Sequence, residues 1–246
     1  MKIDILTLFP EMFAASVRSS MLGRAAEKGL LEMNTCNIRD FSRDKHNKTD
    51  DSPFGGGAGM VMMLGPVCRA LESVEAEKKK IIYMSPKGSM LDQKKLEEIS
   101  REEELVILCG HYEGIDQRIL ERWDIEEISI GDYILTGGEP AAVVLIDAAA
   151  RMIPGVLGNS ESVNEESVYS GLLEYPQYTK PRLYENMKVP EVLLSGDHQA
   201  IHLWKFQKAL ELTKKRRPDL FEEYIAKTSG LSKEERKIME KVIDML

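Results

Sequence analysis

The polar residues able to do chemistry gather in the middle and second half of this 246-residue chain. Glu113 and Asp116 follow one apolar run, Asp132 and Glu139 follow the next, and Arg151 ends a long apolar stretch. Glu165 and Glu166 stand just beyond it in a polar tract, "NSESVNEES". A carboxylate can take a proton in a transition state, and an arginine, always charged, can meet the negative charge left behind. The same residues have plainer readings. Arg151 also suits the C-terminus of a helix, and acids in a polar tract also suit simple solvation. No GxSxG elbow and no Ser-His-Asp or Cys-His grouping points to a nucleophilic enzyme. His198 and His202 lie four apart, but without the Glu of HExxH they read as a helix face or a substrate contact, and no metal ligand is assigned. Cys36, Cys68 and Cys109 form no CxxC pair and read as reduced, buried thiols.

Glycines mark where a ligand belongs. "YMSPKG", "CGHYEG" and "SIGDYILTGG" each follow an apolar run that reads as a strand. In an open α/β sheet, ligands gather outside the carboxyl ends of the parallel strands. Three glycine turns there are either ordinary strand-to-helix turns or the walls of one shared pocket. No GxGxxG follows the first strand and no GxxxxGK[ST] occurs, so a dinucleotide or a Walker-type phosphate site has little support. "GGGAGM" lacks the lysine and hydroxyl of a phosphate loop. A nucleoside-type ligand without phosphates, read by backbone amides and carbonyls, fits better.

The elements that must hold these residues alternate. Strands read from "KIDILTLF", "LLEMNTCNI", "KKIIYMSP", "LVILCG" and "IEEISIG". Helices read from "FPEMFAASVRSSMLGRAAEKG", "GPVCRALESVEAE", "LDQKKLEEISREE", "GIDQRILERW" and "EPAAVVLIDAAARMI". Ser89 and Asp92 suggest a capping box at the third of these helices. The alternation predicts an α/β fold with a mainly parallel sheet covered on both faces. After Ile153 the chain becomes proline-rich and irregular, and after "SGDHQ" it is all helix, the last one opened by a capping box at Ser232 and Glu235. The expected organisation is an α/β domain over 1–160, a linker over 161–170 and a small all-helical C-terminal domain over 171–246.

Formal net charge is -8, which argues against nucleic acid on average. From Ser170 to Pro218, however, nine Lys or Arg face five acids, ending in "KKRRP". That run serves either a helix dipole or a phosphate backbone. No apolar run reaches the ~18–20 residues of a membrane span, and the start of the chain is not signal-like, so a soluble cytoplasmic protein is expected.

In order, "SPFGGGAGMVM", "YMSPKG", "CGHYEGIDQR", "SIGDYILTGGE", "LLEYPQYTKP" and "VPEVLLSGDH" resemble the bacterial tRNA (guanine-37-N1)-methyltransferase family over nearly the whole chain. That family belongs to the SPOUT class of S-adenosylmethionine-dependent methyltransferases. The resemblance implies a deep trefoil knot at the cofactor site, which topology rules alone do not suggest. It implies that S-adenosylmethionine is held by Tyr83, Met84, Ser85, Pro86 and Gly88 in the first loop, and by Gly110, Tyr112, Glu113 and Gly114 in the second. The third loop would contribute Ser129, Ile130, Gly131, Tyr133, Leu135, Gly137 and Gly138.

It further implies that Arg151 is the catalytic arginine and Glu166 the general base. It implies a homodimer whose active site is shared between subunits, tRNA as partner, and a link with magnesium for which no side-chain cluster marks a site. Tyr178, Lys180, Lys205, Lys208, Lys214, Lys215, Arg216 and Arg217 then become tRNA-contact candidates. Three positions depart from the family pattern. Glu166 stands where the family usually has aspartate, His111 where arginine is common, and Pro140 directly follows "GGE" where a leucine usually precedes the proline. The alternatives are a differently targeted or catalytically silent knotted RNA-binding protein, and a dinucleotide oxidoreductase.

Overall fold

The computed structural model describes residues 1–18, 20–157 and 170–245. The chain divides into two compact units, Met1–Gly158 and Asn159–Leu246.

The first unit is built on strands β1 (Lys2–Thr7), β2 (Glu32–Asn37), β3 (Asp50–Asp51), β4 (Val61–Met62), β5 (Lys80–Met90), β6 (Glu104–Cys109) and β7 (Ile125–Ser129). Five of them form one sheet in the order β2-β1-β6-β5-β7, and every neighbouring pair is parallel. Parallel neighbours need crossovers, which here carry helices α1 (Glu11–Arg18), α2 (Ser20–Glu27), α3 (Leu64–Ser73), α4 (Gln93–Ile99) and α5 (Gln117–Arg122). Helix α6 (Glu139–Arg151) follows β7. The short pair β3-β4 within the glycine-rich loop is antiparallel and was not expected from sequence.

Both faces of the sheet are covered, as near-continuous apolar runs with no polar face require. Ile3, Ile5, Ile82, Met84, Leu105 and Ile107 point to one side, where Phe13, Leu96, Ala142 and Leu145 pack on them. Leu6, Ile81, Tyr83, Val106 and Leu108 point to the other, against Val67, Leu71, Ile119 and Trp123. Asp4 interrupts this pattern. Its carboxylate accepts from Lys79 Nζ at 2.8 Å, and both side chains are over nine-tenths buried, so the charge is neutralised where it is desolvated.

One helix end departs from its sequence signal. Helix α4 is capped by Asp92, which accepts from Lys95 N at 2.8 Å. Ser89 is not part of that cap, because it pairs with Ile128 within β5. Strand pairing outcompetes a cap when a neighbouring strand is in reach.

The second unit carries a hairpin of β8 (Leu183–Tyr184) and β9 (Met187–Lys188), then helices α7 (His198–Arg216), α8 (Pro218–Lys227) and α9 (Lys233–Asp244). Leu172, Ala209, Leu210, Phe221 and Val242 form its core. The capping box at Ser232 and Glu235 is present with both reciprocal bonds. No helix among the described residues is long and apolar enough to cross a membrane.

On β7, Glu126 accepts from Lys80 and Lys95, each at 2.8 Å. Burial pushes its carboxyl up, but the two lysines outweigh that and hold it below the usual value of 4.5. Its contribution is therefore complete above the unfolded carboxylate's pKa and lost as pH falls through the lower folded one. Glu126→Gln should lower stability by roughly 1 kcal/mol near pH 7, with the gap to the parent closing toward about pH 3. Urea unfolding of both proteins at the two pH values checks this; a gap of equal size in acid contradicts it.

Candidate active site at the ends of three parallel strands

Three chain segments meet at the carboxyl ends of β6, β5 and β7. The first arises because β5 leaves the ladder and returns: Ile128 of β7 lies opposite both Met84 and Ser89, so residues 85–88 arch outward between them. Ser85 Oγ accepts from Lys87 N at 3.2 Å and shapes that arch. Gly88 lets it close. A Cβ there would stand 2.3 Å from the backbone of Glu127 and Ile128.

The second segment, Gly110–Gly114, turns sharply. Tyr112 takes φ 59° and Gly114 φ 117°, and Gly114 N donates to His111 O at 3.1 Å. The loop before β4 and β4 itself dock against this turn. Glu113 N donates to Met60 O at 3.0 Å, and Met62 N donates to Gly114 O at 2.9 Å. A Cβ on Gly59 would meet Glu113 Oε1 at 2.6 Å.

The third segment, Ile130–Gly138, runs from the end of β7 to the end of β6. Since β5 lies between those strands, it passes over the end of β5. It lands through a bridge between His111 and Gly137 and through Gly138 N, which donates to Gly110 O at 2.8 Å. A Cβ on Gly138 would lie 3.0 Å from Cys109 Cα and Gly110 N, and one on Gly137 would strike Glu139 and His111. Gly138 therefore serves close backbone approach, and Gly137 makes room for the Glu139 and His111 side chains. Glu139 then anchors the start of α6. Thr7 Oγ1 donates to its Oε1 at 2.8 Å, both groups being buried, and an acid suits the positive end of a helix.

These segments enclose a pocket of about 230 Å³. Every loop residue expected from sequence to touch a cofactor lines it, Gly88 excepted. Gly88 serves the packing of β5 on β7 instead. Tyr83 forms part of the wall, and a Cβ on Gly110 would stand 2.6 Å from its ring. Burial, aided by the nearby Glu127 charge, pushes the Tyr83 phenol up to about 12, so it stays protonated at neutral pH. Burial, with Glu139 adding to it, likewise pushes the Cys109 thiol well up, which leaves it inert as a nucleophile. The charged side chains of the lining are Lys87, Glu113 and Glu127. Glu127 was not anticipated from sequence. It stands in an ordinary strand pattern, which gives no sign of a pocket.

Other expected residues lie elsewhere. Arg151 ends α6 and is not in the lining, Asp132 is exposed outside it, and Asp116 caps α5 and pairs with Arg118 at 2.6 Å. Glu165 and Glu166 lie outside the described residues. In the second unit, Tyr178 packs its ring on Trp204 at 6.2 Å, and Lys205 Nζ sits 4.6 Å from the Tyr175 ring centre. Lys208 pairs with Glu211 and Arg217 with Asp219, each at 2.6 Å. Lys214 Nζ donates to the carbonyls of Val242, Ile243 and Met245, closing the end of α9. Lys180, Lys215 and Arg216 are exposed. His202 faces Glu235 at 3.0 Å, and no group of three His, Cys, Asp or Glu among the described residues is placed to hold a metal ion.

The chain matches the family model of tRNA (Guanine-1)-methyltransferase TrmD over residues 1–223. It belongs to that family. A tRNA (guanine-N(1)-)-methyltransferase of Ruminiclostridium cellulolyticum is 56% identical over 224 residues, covering 90% of this chain and 96% of the relative. The enzymes of that name from Clostridium botulinum and Clostridium acetobutylicum are each 52% identical over 240 residues, covering 97% of this chain and 97% and 96% of theirs. The match to the family runs through both units.

The crossing at Gly138 gives the sharpest test of the site's architecture. Gly138→Ala should destabilise the protein by about 1–3 kcal/mol, because backbone on the facing strand has nowhere to move. At this chain length that is a drop of several degrees in Tm, on the order of 2–4 °C per kcal/mol. A thermal melt matching the parent's would show that the crossing is looser than the geometry requires.

Proposed function

We propose that the chain methylates N1 of guanosine 37 in the anticodon loop of tRNA, using S-adenosylmethionine. The observation that carries this reading is the glycine-walled pocket at the ends of β5, β6 and β7, in a chain whose family is named for guanine-1 methylation of tRNA. S-adenosylmethionine supplies a methyl group already activated as an electrophile on a sulfonium. The pocket fits such a ligand. Its walls are largely glycine-rich loop backbone, with Tyr83 and Tyr133 among the lining, and the lining acids Glu113 and Glu127 suit a cationic molecule.

Guanine N1 holds a proton at neutral pH, so its lone pair is unavailable until a base acts. Glu166 takes that proton, a role that contributes roughly 10²–10⁴-fold. Arg151 stabilises the charge that develops on guanine O6 through fixed donors. Helix α6 has 13 residues, so Arg151 stands roughly 18 Å from the pocket end of that helix. That distance supports a homodimer in which the arginine, the carboxylate and the helical unit of one copy complete the pocket of the other. The passage of Ile130–Gly138 over the end of β5 supports a deep trefoil knot at the cofactor site. Among the described residues, no cluster of side chains offers a site for magnesium.

The target base must leave its stack to reach the pocket. Tyr178, Lys180, Lys205, Lys215 and Arg216 are the preferred tRNA contacts. Lys214 leaves that set, because its amine is engaged by three carbonyls. Replacing Lys215 and Arg216 with Ala should weaken tRNA binding and flatten its dependence on salt by about two in log-log slope. Lys214→Ala should lower Tm and leave that slope unchanged. Filter binding across a salt series, with melts of each variant, separates the two outcomes.

The decisive experiment is methyl transfer from labelled S-adenosylmethionine to two tRNA transcripts that differ only in guanine or adenine at position 37. Label should appear only with guanine and map to N1. Arg151→Ala and Glu166→Gln should each lower turnover by at least about 10²-fold with cofactor binding retained. Binding of tRNA with no transfer to either transcript would identify a silent RNA-binding protein instead.

A further inference from the structure

Neighbouring acids on β7 are treated oppositely by the fold. Glu126 receives two lysines. Glu127, which points to the other side of the strand, receives none among the described residues, and its Oε1 is buried without a hydrogen-bond partner. Glu127 lines the ligand pocket. Opposite it in the β5–β7 register stands Tyr83, whose phenol is neutral and so leaves the carboxylate charge unbalanced. The other charged side chains of the lining are Glu113 and Lys87, so the acids outnumber the bases there. A half-buried carboxylate with no countercharge is unfavourable, and a ligand that brings positive charge removes the penalty.

We propose that Glu127 is a specificity-determining residue that favours the cationic methyl donor over its neutral thioether product. This rests on the reading of the pocket as an S-adenosylmethionine site. S-adenosylmethionine carries a sulfonium and an ammonium against one carboxylate, a net charge of +1. Once the methyl has left, the sulfur is a neutral thioether, and the product S-adenosylhomocysteine has no net charge. An uncompensated carboxylate beside the ligand attracts the first more than the second. It thereby selects substrate and weakens the hold on product after each turnover. Removing the charge while keeping the shape should erase that difference, whereas a purely structural role for Glu127 would affect both ligands alike.

The test is calorimetric titration of the unliganded protein and of Glu127→Gln and Glu127→Asp with S-adenosylmethionine, S-adenosylhomocysteine and sinefungin. Sinefungin carries an amine in place of the sulfonium and keeps the net positive charge. In Glu127→Gln, the affinity for both cationic ligands should fall about tenfold, equivalent to about 1.4 kcal/mol. S-adenosylhomocysteine should change by less than about twofold, and Glu127→Asp should keep most of the parent's preference. Equal losses for all three ligands in Glu127→Gln overturn the proposal. Should Glu127→Gln not fold, the parent decides: sinefungin binding more tightly than S-adenosylhomocysteine supports it, and equal or inverted affinities overturn it. If the parent binds none of the three, the cofactor reading of the pocket fails, and that result is distinct from any ratio among variants.

Discussion

The architecture of the site depends on one close approach between two backbones. Segment Ile130–Gly138 must pass over the end of β5 and still reach β6, and it does so through Gly138 N to Gly110 O at 2.8 Å. A Cβ at that contact would stand 3.0 Å from the facing backbone, tighter than an ordinary contact. Because the backbone groups there are paired with each other, the crossing satisfies donors that would otherwise be buried without partners. It also fixes the third wall of the pocket relative to the first two. The buried bond from Thr7 to Glu139 extends the same constraint to β1, so the start of α6 is tied to the middle of the sheet rather than to its edge.

A rigid rim of this kind explains why so few charged side chains line the pocket. Recognition by backbone needs few side chains, and those that remain can be reserved for charge. Tyr83 stays neutral, Glu113 is exposed beside the loop at Gly59, and Glu127 Oε1 is buried without a hydrogen-bond partner. The contrast with Glu126, one residue earlier and held by two lysines, shows that the fold can neutralise an acid on this strand. Leaving Glu127 unneutralised is therefore a property of the pocket face, not of β7 as a whole.

Much of this was legible in the sequence, for local reasons. Apolar runs such as "LVILC" and "KIIYM" have no polar face, which forces a sheet buried on both sides. The glycine-marked strand ends located the pocket. What escaped depended on contacts distant in the chain. Gly88 looked like part of a ligand loop, but its missing side chain answers to the backbone of Glu127 and Ile128. Ser89 looked like a cap and is strand, because β7 is there to pair with it. Lys214 looked like a phosphate contact within a basic run and instead closes a helix that comes almost thirty residues later. Charge and spacing alone do not separate a lysine that serves RNA from one that serves the fold. The partner it meets does.

The length of α6 carries the last step. A helix that begins at the pocket rim and ends in Arg151 carries the backbone of that residue away from the rim of its own chain by roughly 18 Å, at about 1.5 Å per residue. Its apolar residues Ala142, Leu145, Ile146 and Ala149 lie in the core, so the helix cannot swing to bring the arginine back without exposing them. Burying apolar side chains of this size is worth about 1.5–3 kcal/mol for each large one, far more than a single surface contact could repay. Under the proposed reading, then, one chain holds the methyl donor at one end of α6 and carries the arginine at the other. The packing that builds the pocket therefore favours the proposed reading in which a second copy supplies the arginine.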